Sequence, residues 1–465
     1  MSDKPTDQRG LPLTTASAEA ARHYDDAVDA YLEYRKTAGQ HLKQALEADP
    51  QFALAHCLKG YFLMLFGTTA THDGARKALA AARQAQDGLS AREAAHLDAL
   101  EAWLAGDVVG AGRIWEAILV DHPLDILALR LQHFNAFWMG DSRSLRDTVA
   151  GALGAWSSAL PGYSNLLGML SFGLEETGDY AAAESFGRRA AEQNPDDLWA
   201  VHAVAHVLEM QGRLRDGLAW LDQPPGTWSD RNPFKDHLWW HTALFPLEMG
   251  DYDRVLALYD AEVAVDENGF YLDVQNAASL LLRLELLGVD VGERWEALGA
   301  VAAERVDDHV LAFTDIHFAM SLAAAGRKDD LARQIASLQG FAEGEGHVQA
   351  VTRDATLPLI EAVAAHREGD HARAIDLLLE TRARWPEVGA SHAQRDIFTQ
   401  ILIASAMAAG RWTLARNLLS ERTVLRPNSW GSWLHYAEVL EALGENAAAA
   451  MAQARAAAVP PAARG

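Results

Sequence analysis

Glycines that close helical segments recur along this chain at nearly even spacing. The ten positions are Gly106, Gly140, Gly178, Gly212, Gly250, Gly288, Gly326, Gly369, Gly410 and Gly444. Successive separations run from 34 to 43 residues, and the segments between them are rich in helix-forming Ala, Leu, Glu and Arg. Because glycine readily takes the left-handed conformation that ends a helix, this pattern predicts a series of short helices stacked in order.

The shortest separation, 34 residues, is the length of a tetratricopeptide repeat, which is a pair of antiparallel helices. The clearest copy covers residues 163–195. Small side chains at Ser171, Ala183 and Ala190 predict close approach of its two helices, and Pro195 cannot continue the second one. This copy sets the pattern for the rest of the chain.

The whole sequence therefore predicts an all-α fold, a tetratricopeptide-like α–α superhelix of about ten helix pairs. We expect a single solenoid over residues 14–459. The polar and Pro-containing ends, residues 1–13 and 460–465, are expected to be disordered.

The net charge and the apolar pattern of the chain limit the kinds of partner that we expect. The chain has 64 acidic and 40 basic side chains, for a net charge of −24, which repels nucleic-acid phosphates and anionic lipid surfaces. No apolar run approaches the ~18 residues that a transmembrane helix needs.

The one cysteine, Cys57, lies in a mostly apolar run and is expected to be a buried, inert thiol. The predicted location is the cytoplasm.

Titratable side chains recur at the positions that face the concave groove of such an array. His202, His206 and Glu209 follow a spacing of four and three residues, which places them on one helix face. His237 and His241 repeat the four-residue spacing in the next helix. The remaining groove candidates are His96, Arg130, Trp240, Asp315, His317, His392, Arg395 and Asp396.

These residue types suggest two kinds of role. In a catalytic reading, the histidines act as general acid or base and a carboxylate orients them. The catalytic candidates are His202, His206, His241, Asp315 and His392. The ligand-binding candidates are His96, Arg130, Glu209, His237, Trp240, His317, Arg395 and Asp396. No Gly-x-Ser-x-Gly elbow or phosphate-binding glycine loop accompanies them.

Less specific explanations stay open for each of these residues. Histidines in a helix are often core residues bonded to backbone carbonyls, Trp240 can serve packing alone, and Arg395 with Asp396 can form a structural ion pair. A divalent transition metal shared by His202, His206, His237 and His241 is an alternative to a metal-free site. No cofactor is predicted, since the sequence has no His-Glu-x-x-His motif.

Four strings together resemble the tetratricopeptide repeat protein 38 family, over residues 91–433. The strings are VHAVAHVLEM at 201–210, HLWWH at 237–241, DIH at 315–317 and SHAQRD at 391–396. Members often have Asn where this chain has Leu238 and Thr314, so this protein is expected to recognise a different ligand if those amides contact one. The resemblance implies a helical repeat fold and no particular reaction.

Three hypotheses about function follow. The first is a small-molecule pocket, with or without histidine catalysis, and the second is a scaffold that binds a peptide or protein in the groove. The third is a purely structural platform. In a pocket the histidine rings converge on a void, whereas in a core they pack singly. The Ala-rich residues 446–458 make a poor terminal cap, which suggests self-association as a homo-oligomer.

Overall fold

The computed structural model describes residues 5–85, 88–224, 226–265 and 269–459. Within these ranges the chain is helical and contains no β-strand apart from two isolated bridges, so the predicted all-α fold is confirmed. The described residues divide into two compact units. The first comprises those of 1–204, 228–234 and 344–350, and the second those of 205–227, 235–343 and 351–465.

Antiparallel helix pairs build the first unit. Its helices are α1 (Ala18–Leu32), α2 (Ala38–Ala48), α3 (Ala53–Met64), α4 (His72–Gln84), α5 (Ala91–Leu104), α6 (Val108–Asp121), α7 (Ile126–Trp138), α8 (Ser142–Leu153), α9 (Tyr163–Glu176) and α10 (Tyr180–Gln193). Each odd-numbered helix packs against the even-numbered helix that follows it. The next helix, α11 (Leu198–Met210), begins in this unit and ends in the second.

The remaining helices belong to the second unit, except for Phe234 and residues 347–350. They are α12 (Leu214–Trp220), α13 (Phe234–Met249), α14 (Tyr252–Leu258), α15 (Tyr271–Leu286), α16 (Arg294–Ala303), α17 (Ala312–Ala324), α18 (Lys328–Ala342), α19 (His347–Val351), α20 (Leu357–Glu368), α21 (His371–Thr381), α22 (His392–Ala408), α23 (Trp412–Leu425), α24 (Trp430–Ala442) and α25 (Asn446–Ala458). Short 3₁₀ segments cover Thr69–Thr71 and Arg382–Val388, and π segments cover Tyr259–Val263 and Thr352–Thr356.

The glycine pattern has the predicted structural cause. All ten helix-closing glycines have positive φ, between +63° and +85°. This left-handed backbone turns the chain so that the next helix runs back along the one before. The tetratricopeptide-like character of the helix pairs is therefore confirmed, whereas a single continuous solenoid over residues 14–459 stays a prediction.

The repeat predicted at residues 163–195 consists of α9 and α10. Ser171 on α9 donates a hydrogen bond of 2.7 Å to the backbone carbonyl of Ala183 on α10. A Cβ atom added at Gly187 would lie 2.6 Å from Ser171 Oγ, so the two helices leave no room for a larger residue. Small residues at this interface allow the close approach that the sequence predicted.

The prediction of a disordered N-terminus is wrong for residues 5–13. Arg9 is buried and donates a hydrogen bond of 3.1 Å to Asp29 of α1, while Asp7 accepts bonds from the backbone N–H groups of Arg9 and Leu11. Leu13 is fully buried. These contacts anchor a segment whose polar composition alone suggested disorder. The C-terminal residues predicted to be disordered, 460–465, lie outside the described residues.

Cys57 lies on α3 and is fully buried, as predicted. Its thiol donates a weak hydrogen bond of 3.4 Å to the backbone carbonyl of His96, and burial raises its pKa far above the ordinary value. A thiol in this state is a poor nucleophile. None of the helices among the described residues combines the length and apolarity needed to cross a bilayer.

Candidate ligand-binding site

Residues of α13, α15, α22, α23 and α24 in the second unit, together with Glu209 of α11 and Tyr252 of α14, line a cavity of about 410 Å³. Helix α15 packs against α22, α22 against α23, and α23 against α24. A cavity of this size falls within the range of natural sites for small molecules.

Part of the cavity lining is apolar. It includes Leu244 and Leu247 of α13, Leu286 of α15, Ile403 and Met407 of α22, and Trp412 of α23. These residues repeat at three- and four-residue intervals along their helices, so that one face of each helix contributes to the wall. These apolar residues suit the apolar body of a ligand.

Other residues of the lining, which we call the charged wall, carry charged and hydroxyl groups. Arg422 forms a two-pronged ion pair with Asp396, with one contact at 2.8 Å, and its Nε donates to Ser432 Oγ at 2.9 Å. Burial alone would raise the pKa of Asp396, but Arg422 and Arg426 outweigh it and hold that pKa well below its usual range. These two arginines therefore favour the ionised form of the Asp396 carboxylate.

Arg283 lies in the same wall and is only 3% exposed. Its guanidinium donates to the backbone carbonyl of Ala393 at 3.0 Å and to Ser279 on its own helix, and it lies 5.5 Å from the centre of the Trp240 ring. Burial lowers the pKa of Arg283 to about 10, although Asp396 and Glu209 act in the opposite direction. The group stays a cation at neutral pH.

Arg426 completes the charged wall. Its guanidinium lies 3.8 Å from Glu209 and 4.0 Å from Asp396, farther than the 2.8 Å contact between Arg422 and Asp396. Three guanidinium groups, Arg283, Arg422 and Arg426, thus lie beside two largely buried carboxylates, Glu209 and Asp396. The other two acidic groups of the wall, Glu248 and Glu438, are more exposed.

Three histidines of the second unit lie next to Glu209. His241 donates from Nδ1 to Glu209 Oε2 at 3.1 Å, and His237 donates from Nδ1 to Asn276 Oδ1 at 2.7 Å. The ring of His241 lies 4.4 Å from that of His206 and 4.8 Å from that of His237, measured between ring centroids. Burial, and then the neighbouring His241, lower the pKa of His237 well below its usual value, so this ring is neutral.

Three of the predicted site residues lie in the first unit within its packed interior. The ring of His202 contacts Phe172, Trp199 and Phe234, with centroids 4.9 to 5.3 Å apart. His96 bonds through Nε2 to Asp125 at 3.1 Å. Arg130 lies 4.2 Å from the centre of the Phe134 ring. Ligand-binding or catalytic roles for these residues stay predictions.

The other predicted residues belong to the second unit. Asp315 accepts a long hydrogen bond of 3.5 Å from His309, and His317 donates from Nδ1 to the backbone carbonyl of Phe313 at 2.7 Å. The ring of His392 lies 6.4 Å from that of His206, and Arg395 donates to the carbonyl of Gly389 at 2.9 Å. Among the predicted ligand-binding residues, Glu209 and Asp396 line the cavity.

Sequence reasoning missed the three arginines that give the cavity its charge. A signal exists for each, because Arg283 interrupts the leucine run at 280–284, and Arg422 and Arg426 stand one helical turn apart before Pro427. A charge inside an apolar run indicates a buried, paired group. The sequence does not show which carboxylates those arginines meet.

Comparison with known proteins gives no closer identification. No family model matches the chain. Solved structures with a similar course of helices include the human IFIT1 dimer with PPP-AAAA, at 12% identity over 96% of both chains and a TM-score of 0.42. Naa15/Naa10 bound to HypK-THB matches at 14% identity over 95% of this chain and 70% of the other, with a TM-score of 0.26.

The match with a third structure, yeast Tom70, covers 79% of this chain and 92% of that chain, at 11% identity and a TM-score of 0.24. Similarity this remote carries no argument about ligands or partners.

Proposed function

We propose that the protein binds a small molecule with an apolar body and one anionic group in the cavity of the second unit. The observation that carries this proposal is the presence of three guanidinium groups, those of Arg283, Arg422 and Arg426, beside apolar residues in the lining of one cavity. Arginine forms directional bonds to carboxylates and phosphates.

We propose that Arg426, which lines the cavity and also donates to Met210 Sδ at 3.1 Å, takes part in holding the ligand anion. Arg422 is committed to Asp396 and Ser432, and Arg283 to the carbonyl of Ala393. The carboxylates near Arg426 lie at 3.8 and 4.0 Å, beyond ordinary hydrogen-bond distance.

The alternative of a scaffold that binds a peptide is less well supported. A cavity of about 410 Å³ suits a single small molecule, whereas an extended peptide needs an open groove along several helices. A protein partner elsewhere on the chain would be a separate activity.

Histidine catalysis is also less well supported than binding. His241 bonds to Glu209 and does not itself belong to the lining of the cavity. General acid–base catalysis requires the ring nitrogen to come within hydrogen-bond reach of the substrate. The geometry therefore favours a binding role for this wall.

The resemblance to the tetratricopeptide repeat protein 38 family agrees with this proposal. Two of the shared strings, at 201–210 and 391–396, supply Glu209 and Asp396 to the wall. A third, at 237–241, supplies His241, which holds Glu209. We infer that these three sequence strings mark a pocket that this chain has in common with members of that family.

A thermal-shift experiment with matched ligands tests the proposal. Straight-chain carboxylates of increasing length are compared with the primary alcohols of the same length. We expect the carboxylates alone to raise Tm, because a ligand at 100 times its Kd stabilises the folded state by about 2.7 kcal/mol. Arg426→Gln should abolish the shift.

Arg416→Gln is the matched control, since Arg416 lies on α23, which Arg426 directly follows, but pairs with Glu445 at 2.9 Å outside the cavity. This variant should keep the full carboxylate shift. Equal shifts from carboxylates and alcohols, or an undiminished shift in Arg426→Gln, would argue against an anion site at this wall.

A further inference from the structure

His206, His237 and His241 form a compact group inside the second unit. His206 lies on α11, and the other two lie one turn apart on α13. One ring nitrogen of each lies within 4.8 Å of a ring nitrogen of the other two, and all three side chains are buried. Three imidazoles in such a group match the usual donor set of a divalent transition metal.

Hydrogen bonds at Nδ1 fix the chemical form of two of these rings. His237 Nδ1 meets the amide oxygen of Asn276 at 2.7 Å, and His241 Nδ1 meets the carboxylate of Glu209 at 3.1 Å. Both oxygens are acceptors, so each Nδ1 carries the proton and the lone pair of the neutral ring lies on Nε2. Histidines that bind metals are held in this way by a carboxylate or carbonyl behind the ring.

We propose that His206, His237 and His241 bind one divalent transition metal ion of the zinc class, with Asn276 and Glu209 orienting two of the ligands. Three histidine nitrogens leave a further coordination position for a water molecule or an anion. The inference rests on these five residues and does not depend on what the cavity binds.

The three histidine nitrogens need to move only a short distance to coordinate one ion. Zinc–nitrogen bonds of about 2.0–2.1 Å in tetrahedral geometry place the ligand nitrogens about 3.4 Å apart. The present nitrogens lie within 4.8 Å of one another, so ring rotations that move each nitrogen by about 1 Å are sufficient. Glu209 provides a nearby negative charge that offsets part of the charge of the ion.

A competing group exists in the first unit and supplies a control. His23, Asp26 and His41 also bring ligand atoms within 4.8 Å of one another, but Asp26 is exposed and the two histidines are half-buried. Their ring nitrogens lack the paired oxygen acceptors that hold His237 and His241 among the described residues. We expect the buried group to bind far more tightly.

The test is a titration of chelator-treated full-length protein with Co²⁺, followed by visible absorption. Tetrahedral Co²⁺ absorbs strongly, and addition of Zn²⁺ should displace it and remove the band. We expect one equivalent in the wild type and a loss of binding in His241→Gln. His317→Gln, at an equally buried histidine bonded to a backbone carbonyl, and His41→Gln should both keep the band.

If circular dichroism shows that His241→Gln does not fold, Asn276→Ala replaces it. This change removes only the acceptor behind His237, so a 10–100-fold loss of Co²⁺ affinity is expected. The proposal is overturned by the absence of a band in folded wild-type protein. It is also overturned by a band that disappears in His41→Gln, or by unchanged affinity in both His241→Gln and Asn276→Ala.

Discussion

His241 donates a hydrogen bond of 3.1 Å to the carboxylate of Glu209, and that carboxylate is also part of the cavity wall. One side chain therefore connects the buried histidines to the space that we assign to a ligand. Burial alone would raise the pKa of Glu209, but the hydrogen bond from His241 and the nearby charge of Arg426 lower it below its usual value. The carboxylate is thus held ionised inside the second unit.

Replacing Glu209 with Gln should reduce the free energy of unfolding by about 3 kcal/mol, because Arg426 and His241 lose a buried anionic partner. Urea unfolding followed by circular dichroism measures this. Glu438→Gln is the control, since Glu438 borders the same cavity but is exposed, and its expected effect is within about 0.5 kcal/mol. Equal effects of the two changes would contradict a buried role for Glu209.

The Arg422–Asp396 pair should behave as one unit in a double-mutant cycle. Asp396→Leu or Arg422→Leu alone leaves an unpaired charge and should cost about 3–5 kcal/mol. The double variant removes both charges and should cost less than either single change. Additive losses would show that the pair does not interact as the 2.8 Å contact indicates.

Two glycine substitutions in the first unit should have opposite signs. Gly178 has a φ of +85° between α9 and α10, so Gly178→Ala should cost about 1–2 kcal/mol, although no atom would obstruct the new methyl group. Gly151 lies inside α8 with equally open space, and Gly151→Ala should stabilise the protein by about 0.5–1 kcal/mol. Thermal unfolding of both variants measures the difference, and the same sign in both would contradict the role of glycine in closing the repeat.

Asp197 in the first unit should give stability a pH dependence. Its Oδ1 accepts bonds from the backbone N–H groups of Trp199 and Ala200, but burial raises its pKa to about 7. The folded state therefore holds a proton that the unfolded state releases near pH 4, and stability falls as pH rises from about 4 to about 7.

Asp197→Asn removes this titration while keeping an oxygen at the start of α11. The variant should gain stability relative to the wild type as pH rises through this window, by at most about 4 kcal/mol. Denaturant titrations at several pH values measure that difference. A difference that does not change with pH would show that Asp197 has an ordinary pKa.

The spacing of glycines was sufficient to predict the helix pairs, because positive φ at a helix end is a local property that few other residues tolerate. Glu209 and Asp396 were also predictable from helix periodicity. The roles of Arg283, Arg422 and Arg426 were not, because their partners lie on other helices and a single sequence does not show which helices meet. The ordered segment at residues 5–13 was missed for the same reason, since Arg9 is buried by α1.

Native mass spectrometry of the purified protein, compared with its denatured mass, tests the central claim most directly. We predict an additional mass in the native state that belongs to an organic anion, leaves on unfolding, persists in Arg416→Gln and is lost in Arg426→Gln. A bound metal ion would be distinguished from an organic anion by the size of the mass difference. Native and denatured masses that agree in the wild type, together with no carboxylate retained after incubation, would contradict a ligand site in the second unit.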